Sequence, residues 1–380
     1  MKKIPLAILG TVLGIMTVVT STTYARESRL GLMVAAIPEM ASSQAQSWRT
    51  PQLVRTIEAH STAVDTLSFS PSGRVLLSGG SRSDAHLKLW WLKTGREIDS
   101  LRVHQTSVSD LAFSADGTIL ASVGEDGGVN LWQWNQEEYT GDYTRTFLGH
   151  TSNLLSLAMT SDSKVLVTGG LDGIRVWDLR NQRPLYTLAN FDHPTYSLAL
   201  HPKAETLVSG LKNGTIKIWN LNTGQPLYVI RAHQGITSAL AFTPNGRTLV
   251  SSGYDGKIRV WDTKTWQLKY TLTKHTGKIR AIAINPVNGT ILASASRDGV
   301  RLWNLNTGKQ IAWLTGHQDW VQSVAFSRDG RLLATGGFDR TINIWQANTT
   351  EVADSVRDLL VKTISITVGW ANFDYLEYSK

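Results

Sequence analysis

Residues 294–317 read SASRDGVRLWNLNTGKQIAWLTGH. Ser294, Asp298 and His317 fall inside this one window, the residue types of a Ser/His/Asp hydrolase, yet Trp303 between them decides the reading. Tryptophans recur at positions 90, 132, 177, 219, 261, 303 and 345, spaced by 42, 45, 42, 42, 42 and 42 residues. Each copy repeats one order: a histidine, an alternating apolar run such as VQSVAF, a turn such as SRDG, a second run such as LLATGG, an Asp-Gly-like turn, and a run such as INIW. Period-two alternation cut by Gly, Asp, Asn and Pro turns is the signal of antiparallel strands. Adding the segment before the next histidine, such as QIAWL, brings each unit to four strands.

LWNLNTGKQIAWLTGH and its sister segments resemble WD40 repeats of the β-transducin type, with a Gly-His start and a Trp-Asp-like end. The resemblance covers residues 52–346. The closing dipeptide is Trp-Asp only at Trp177-Asp178 and Trp261-Asp262, and elsewhere Trp-Trp, Trp-Gln or Trp-Asn, while the frame holds throughout. A four-stranded sheet exposes both faces, so the units must stack radially and the ring must close. The fold class is therefore all-β, a seven-bladed β-propeller with four-stranded antiparallel blades. Closure has a visible route: QLVRTIEAH, residues 52–60, matches an outer strand plus histidine with no unit before it, and the last unit ends at Trp345 without its own outer strand. Residues 52–58 are predicted to complete the last blade.

The ends read differently. Met1-Lys2-Lys3, an apolar run over residues 4–19 and a small-residue finish at Ala25 form a secretory signal pattern. Residues 1–25 are accordingly assigned to a signal peptide, 26–51 to a linker, 52–346 to the propeller and 347–380 to a tail. Within the tail, Val352, Val356, Leu359 and Leu360 make one helical stripe, and KTISITVGW alternates like a strand, so a short helix/strand tail is expected. The leader points to an exported, bacterial-type member acting in the periplasm or outside the cell, with no stable membrane insertion once it is cleaved. The composition is globular, the formal charge of +8 is mild for 380 residues, and no nucleic-acid partner is implied. The absence of cysteine removes disulfides, thiolate metal sites and cysteine catalysis.

On a common frame the histidines are His60, His104, His150, His233, His275 and His317, and the turn aspartates are Asp84, Asp126, Asp172, Asp255, Asp298 and Asp339. The hydroxyls are Ser78, Ser122, Thr168, Ser209, Ser251, Ser294 and Thr335, and the tryptophans Trp90, Trp132, Trp177, Trp219, Trp261, Trp303 and Trp345. The resemblance implies that each set forms a buried hydrogen-bond chain fastening one blade. Six near-identical buried sets offer neither the activated nucleophile nor the oxyanion site that a hydrolase needs. Unit four departs from the frame, with Phe191 at the histidine position, His193 displaced and Asn213 replacing the aspartate. His193 and His201 have no acidic companions at metal-ligand spacing. No catalytic site, metal or cofactor is expected.

The resemblance also implies that residues preceding the turn aspartate, and the second residue of each inner strand, approach one face around the central channel. The first set is Ser83, Glu125, Leu171, Lys212, Tyr254, Arg297 and Phe338; the second is Asp65, Ser109, Leu155, Tyr196, Ser238, Arg280 and Gln322. Tyr196, Lys212, Tyr254, Arg280, Arg297 and Phe338, with Trp320 nearby, concentrate aromatic and cationic side chains on units four to seven. Such side chains dominate interface hot spots. The expected function is a non-enzymatic scaffold that binds a protein or peptide, with acidic groups favoured. An exported propeller enzyme or carbohydrate binder is the alternative, and a cytoplasmic signalling scaffold a further one.

Overall fold

The computed structural model describes residues 47–189, 194–203 and 205–348. Among these described residues, twenty-eight strands, numbered β1 to β28 in chain order, run from Gln52–Glu58 to Thr341–Gln346. They form seven four-stranded antiparallel sheets, the blades of a propeller. Blade 1 consists of β2 (Val64–Phe69), β3 (Val75–Gly80), β4 (His86–Trp91) and β5 (Arg96–Arg102), and later blades repeat that order. The expected leader, the linker before Ser47 and the tail beyond Asn348 lie outside the described residues.

Burial falls outward along each blade. The second strand of blade 1, VLLSGG, is buried at every position, whereas its outer strand, REIDSLR, is exposed at all but one. The reason is radial stacking, because the inner strands are covered on both faces by neighbouring blades. The apolar clusters accordingly span blade boundaries: Leu76 and Trp90 of blade 1 share one with Ile342 and Ile344 of blade 7. No blade can bury its faces alone, so closure of the ring is a condition of stability.

Closure is performed by β1, which pairs antiparallel with β28 from Gln52 opposite Gln346 to Glu58 opposite Thr341. The seventh sheet runs β1, β28, β27 (Leu332–Gly337), β26 (Val321–Phe326), so the first strand of the described residues is the outer strand of the last blade. At the end of the expected linker the structure departs from that assignment. Trp48 is 1% exposed, stands edge-on to Phe326 with centroids 5.3 Å apart, and donates its indole N–H to the Gly330 carbonyl at 3.3 Å. The Asn348 N–H reaches the Ser47 carbonyl at 2.7 Å. A large apolar side chain buried between blades 6 and 7 makes this stretch part of the closure, a role that one tryptophan in a polar, aperiodic context does not reveal.

Candidate partner-binding site

The His, Ser/Thr, Asp and Trp sets assemble blade by blade. In blade 5, His233 meets Asp255 at 2.9 Å and Ser251 at 2.8 Å, and Trp261 donates to the same Ser251 oxygen at 2.9 Å. Blade 3 joins His150, Asp172, Thr168 and Trp177 over distances of 2.6–2.8 Å. Blade 6 does the same with His275, Asp298, Ser294 and Trp303. In blade 7, His317 contacts Asp339 and Thr335, and Trp345 reaches Thr335 at 3.2 Å. The window quoted above therefore straddles two blades, since Ser294 and Asp298 serve His275 while His317 serves the next sheet.

Electrostatics follow from burial. Desolvation lowers the pKa of His150, His233 and His275 despite their aspartates. Burial works against the Asp339 carboxylate, but His317 and the Gln318 N–H outweigh it and hold its pKa at about 2. In three of the sets, those of blades 3, 5 and 6, a neutral imidazole thus faces an ionised carboxylate, closed into the blade. Three of them add a guanidinium that the sequence reading missed: Arg175 on Asp172 at 2.8 Å, Arg259 on Asp255 at 2.9 Å and Arg301 on Asp298 at 2.8 Å.

Three blades deviate from the expected set. In blade 1, Ser78 takes both His60 and Trp90 at 2.8 Å, but Asp84 is divided among His86, Ser61 and a 3.2 Å contact with His60. Burial depresses the His60 pKa to about 4. In blade 2, His104 joins Asp126 and Ser122 at 3.0 Å each, whereas Trp132 corrects the expectation, because its indole nitrogen is buried without a partner. The residue opposite Trp132 on the outer strand is Tyr143, the one aromatic at that register position, and it packs edge-on against the indole at 5.2 Å.

Blade 4 keeps the Trp219–Ser209 bond at 2.9 Å, while Phe191 and His193 lie outside the described residues. One further substitution accompanies the missing set. A Cβ at Gly124 or Gly253 would lie 2.5 Å from the imidazole of His104 or His233, and one at Gly337 2.8 Å from that of His317. Blade 4 carries Leu211 at the corresponding position, buried to 2% exposure, so an apolar side chain stands where the glycines of blades 2, 5 and 7 leave room for a histidine; blade 6 has the smaller Ser296 there and keeps His275. His201 is occupied elsewhere, with its Nε2 3.1 Å from the Gly246 carbonyl and its ring edge-on to Phe242.

The channel face is aimed by a repeated backbone irregularity. In every blade the pairing of the first two strands slips by one residue near its start, between Val64 and Thr66 in blade 1 and at the equivalent place in the other six. The residues left unpaired are Asp65, Ser109, Leu155, Tyr196, Ser238, Arg280 and Gln322. A bulge re-aims a side chain, and these seven together line a cavity of about 290 Å³ at the ring axis. Glu125 and Tyr254 join them at its mouth, while Lys212 stays exposed on its loop and does not line the cavity. The residue after each bulge ties the inner strands together in part of the ring. Asp110 accepts the Leu157 N–H at 2.9 Å, Ser156 accepts the Leu198 N–H at 3.1 Å, and Ser323 donates to the Val64 carbonyl at 3.2 Å.

On the side of blades 5 to 7 the mouth carries a stack of rings and cations. The Arg280 guanidinium lies 5.0 Å from the Tyr254 ring centre and 5.7 Å from that of Trp320, and it donates to the Tyr254 hydroxyl. Arg297, itself exposed, sits 5.7 Å from the half-buried Trp320 ring, and Phe338 meets Trp320 edge-on at 6.3 Å. Lys278 lies 5.0 Å above Tyr254; the sequence reading passed over it because it precedes the strand rather than sitting at a mapped position. On blades 1 and 2 the charge reverses, at Asp65 and Glu125. Burial, reinforced by Glu125, raises the Asp65 pKa to about 7.

The comparisons with known proteins agree with this architecture. The family model described as WD domain, G-beta repeat matches seven times, over residues 51–90, 95–133, 141–178, 182–220, 224–262, 266–304 and 308–346. Among curated proteins, the chain is 28% identical to "Protein groucho" of Drosophila melanogaster over 156 residues, which is 40% of this chain and 20% of that protein. The chain thus spans about one fifth of the length of this relative. A ring of WD40 blades is an architecture typical of protein–protein interaction scaffolds. With seven matched repeats, seven four-stranded blades and the fastening sets in place, the chain belongs to the WD40 repeat family.

Proposed function

We propose that this propeller is a non-enzymatic platform that binds a protein or peptide through its channel-mouth face, chiefly on the side of blades 5 to 7. One observation carries the reading: Arg280 is stacked between Tyr254 and Trp320, with Arg297 on the same indole. Guanidinium on aromatic rings presents large contact area together with directional donors, and cation–π contact holds the side chains in place before a partner arrives. The excess of cations at this rim favours a partner with acidic groups. The enclosure of every Ser/His/Asp set within its blade supports a non-catalytic role. The proposed site of action is outside the cytoplasm, on the strength of the basic, apolar and small-residue pattern of residues 1–25.

Affinity capture with the purified chain, run beside an Arg297→Ala/Tyr254→Ala double variant, tests the face. The variant is expected to lose the partners that the parent retains, and identical partner sets would refute the assignment. Mass spectrometry of the mature N-terminus tests the location, with a start near residue 26 as the expected result.

A further inference from the structure

Two side chains of the channel have polar atoms with nothing to bind. Arg280 Nε and Gln322 Oε1 are both buried and both lack a hydrogen-bond partner. Leaving such groups unpaired is costly, so a buried donor and a buried acceptor in one cavity call for a ligand that supplies the complements. A peptide unit offers one of each, a C=O for the Arg280 N–H and an N–H for the Gln322 carbonyl.

Charge around the same arc gives the ligand a direction. Arg280, Gln322 and Asp65 stand on the inner strands of blades 6, 7 and 1, which are consecutive in the closed ring. Gln322 lies between the two charges and leans toward the acid, with its Nε2 3.4 Å from the Asp65 carboxylate. Glu125 continues the acidic side at the mouth. The cationic side continues outward through Arg297 and Lys278. The remaining inner-strand positions, on blades 2 to 5, are Ser109, Leu155, Tyr196 and Ser238 and carry no formal charge. A cavity of about 290 Å³ accommodates a short segment and not a folded domain.

We infer that the channel binds a short peptide segment of mixed charge, its main chain between Arg280 and Gln322, a cationic group directed at Asp65 and Glu125, and a carboxylate on the Arg280–Arg297 side. This rests on the channel-mouth reading above and narrows it from an acidic partner to one whose acidic group has a basic one close by. A peptide is favoured over a free zwitterion because the aromatic rim of Tyr254, Trp320 and Phe338 extends out of the cavity onto the open face, where a continuing chain would lie.

The test is a selection of short random peptides displayed on phage against the full-length chain, repeated with Asp65→Asn and with Arg280→Gln. The parent is expected to enrich sequences pairing an acidic residue with a nearby lysine or arginine. Asp65→Asn should lose the basic preference alone, and Arg280→Gln the acidic preference alone. A peptide selected by the parent is then synthesised with its basic residue replaced by norleucine, or its acidic residue by the amide. Each replacement should weaken binding to the unaltered protein about tenfold or more, the scale of a charge-assisted contact. This arm holds even if a protein variant folds poorly. Enriched peptides that bind the Arg297→Ala/Tyr254→Ala chain as well as the parent would overturn the channel-mouth reading itself. Peptides that need the mouth but show no charge pattern, or tolerate both replacements, overturn the mixed-charge inference alone, and failure to enrich any peptide overturns it as well.

Discussion

At the scale of single residues, the molecule separates groups that fasten from groups that are left waiting. Ser251 holds two partners, His233 and Trp261, whereas Ser209 holds Trp219. Ser251→Ala strands two buried polar atoms and should cost about 2–3 kcal/mol, while Ser209→Ala strands the indole N–H and should cost about 1 kcal/mol. Urea unfolding of the two variants against the parent checks the ordering. Asp65 behaves in the opposite sense to a fastening carboxylate. Its folded-state pKa, about 7, lies above that of the unfolded chain, so the contribution of Asp65 to stability is full below pH 4 and declines as pH rises through 7. Glu125 adds to the effect, and Arg280, Arg82 and Gln322 oppose it. Asp65→Asn should therefore raise the melting temperature relative to the parent at pH 8, and the gain should shrink at pH 5. A gain independent of pH would show that the carboxylate is not the cause.

At the scale of elements, β1 and the Trp48 segment close the ring by separate means, backbone pairing and side-chain burial. Removing the buried indole alone, as Trp48→Ala, should cost about 3–5 kcal/mol. A chain starting at Pro51 loses that contact but keeps β1, and one starting at Ser61 loses both. Melting temperatures should fall in that order, and a Ser61 start as stable as the parent would rule out closure by strand exchange. The exchange itself was legible in the sequence, because an outer-strand pattern without a preceding unit faced a last unit without an outer strand. Trp48 was not, since its value depends on a gap between blades 6 and 7 that exists only after the ring has formed.

At the scale of the whole molecule, the sequence repeat and the blade are out of phase. The first matched repeat, residues 51–90, holds β1 to β4, whereas blade 1 holds β2 to β5. Every repeat therefore begins with the outer strand of one blade and supplies three strands to the next, which interlocks neighbours through the covalent chain. Unfolding is expected to be cooperative across blades. Circular dichroism and tryptophan fluorescence, which reports on rings distributed over all seven blades, should give coincident transitions, and separate transitions would contradict interlocking. The binding face belongs to this scale too, because its parts come from different blades and share a site only through closure.

Local pattern determined the strands and the number of blades, because both are encoded within one repeat of about forty residues, and the fastening and channel-facing positions followed from what the resemblance implies for that frame. Only the tertiary structure decided which of these residues become neighbours. Asp65 and Gln322 are 257 positions apart and meet because β1 joins β28. The unpaired atoms of Arg280 and Gln322, the missing partner of Trp132 and the burial of Trp48 likewise depend on packing between separate blades. Hydrogen-bond satisfaction and burial are properties of what surrounds a group, and in a closed ring those surroundings come from both ends of the chain.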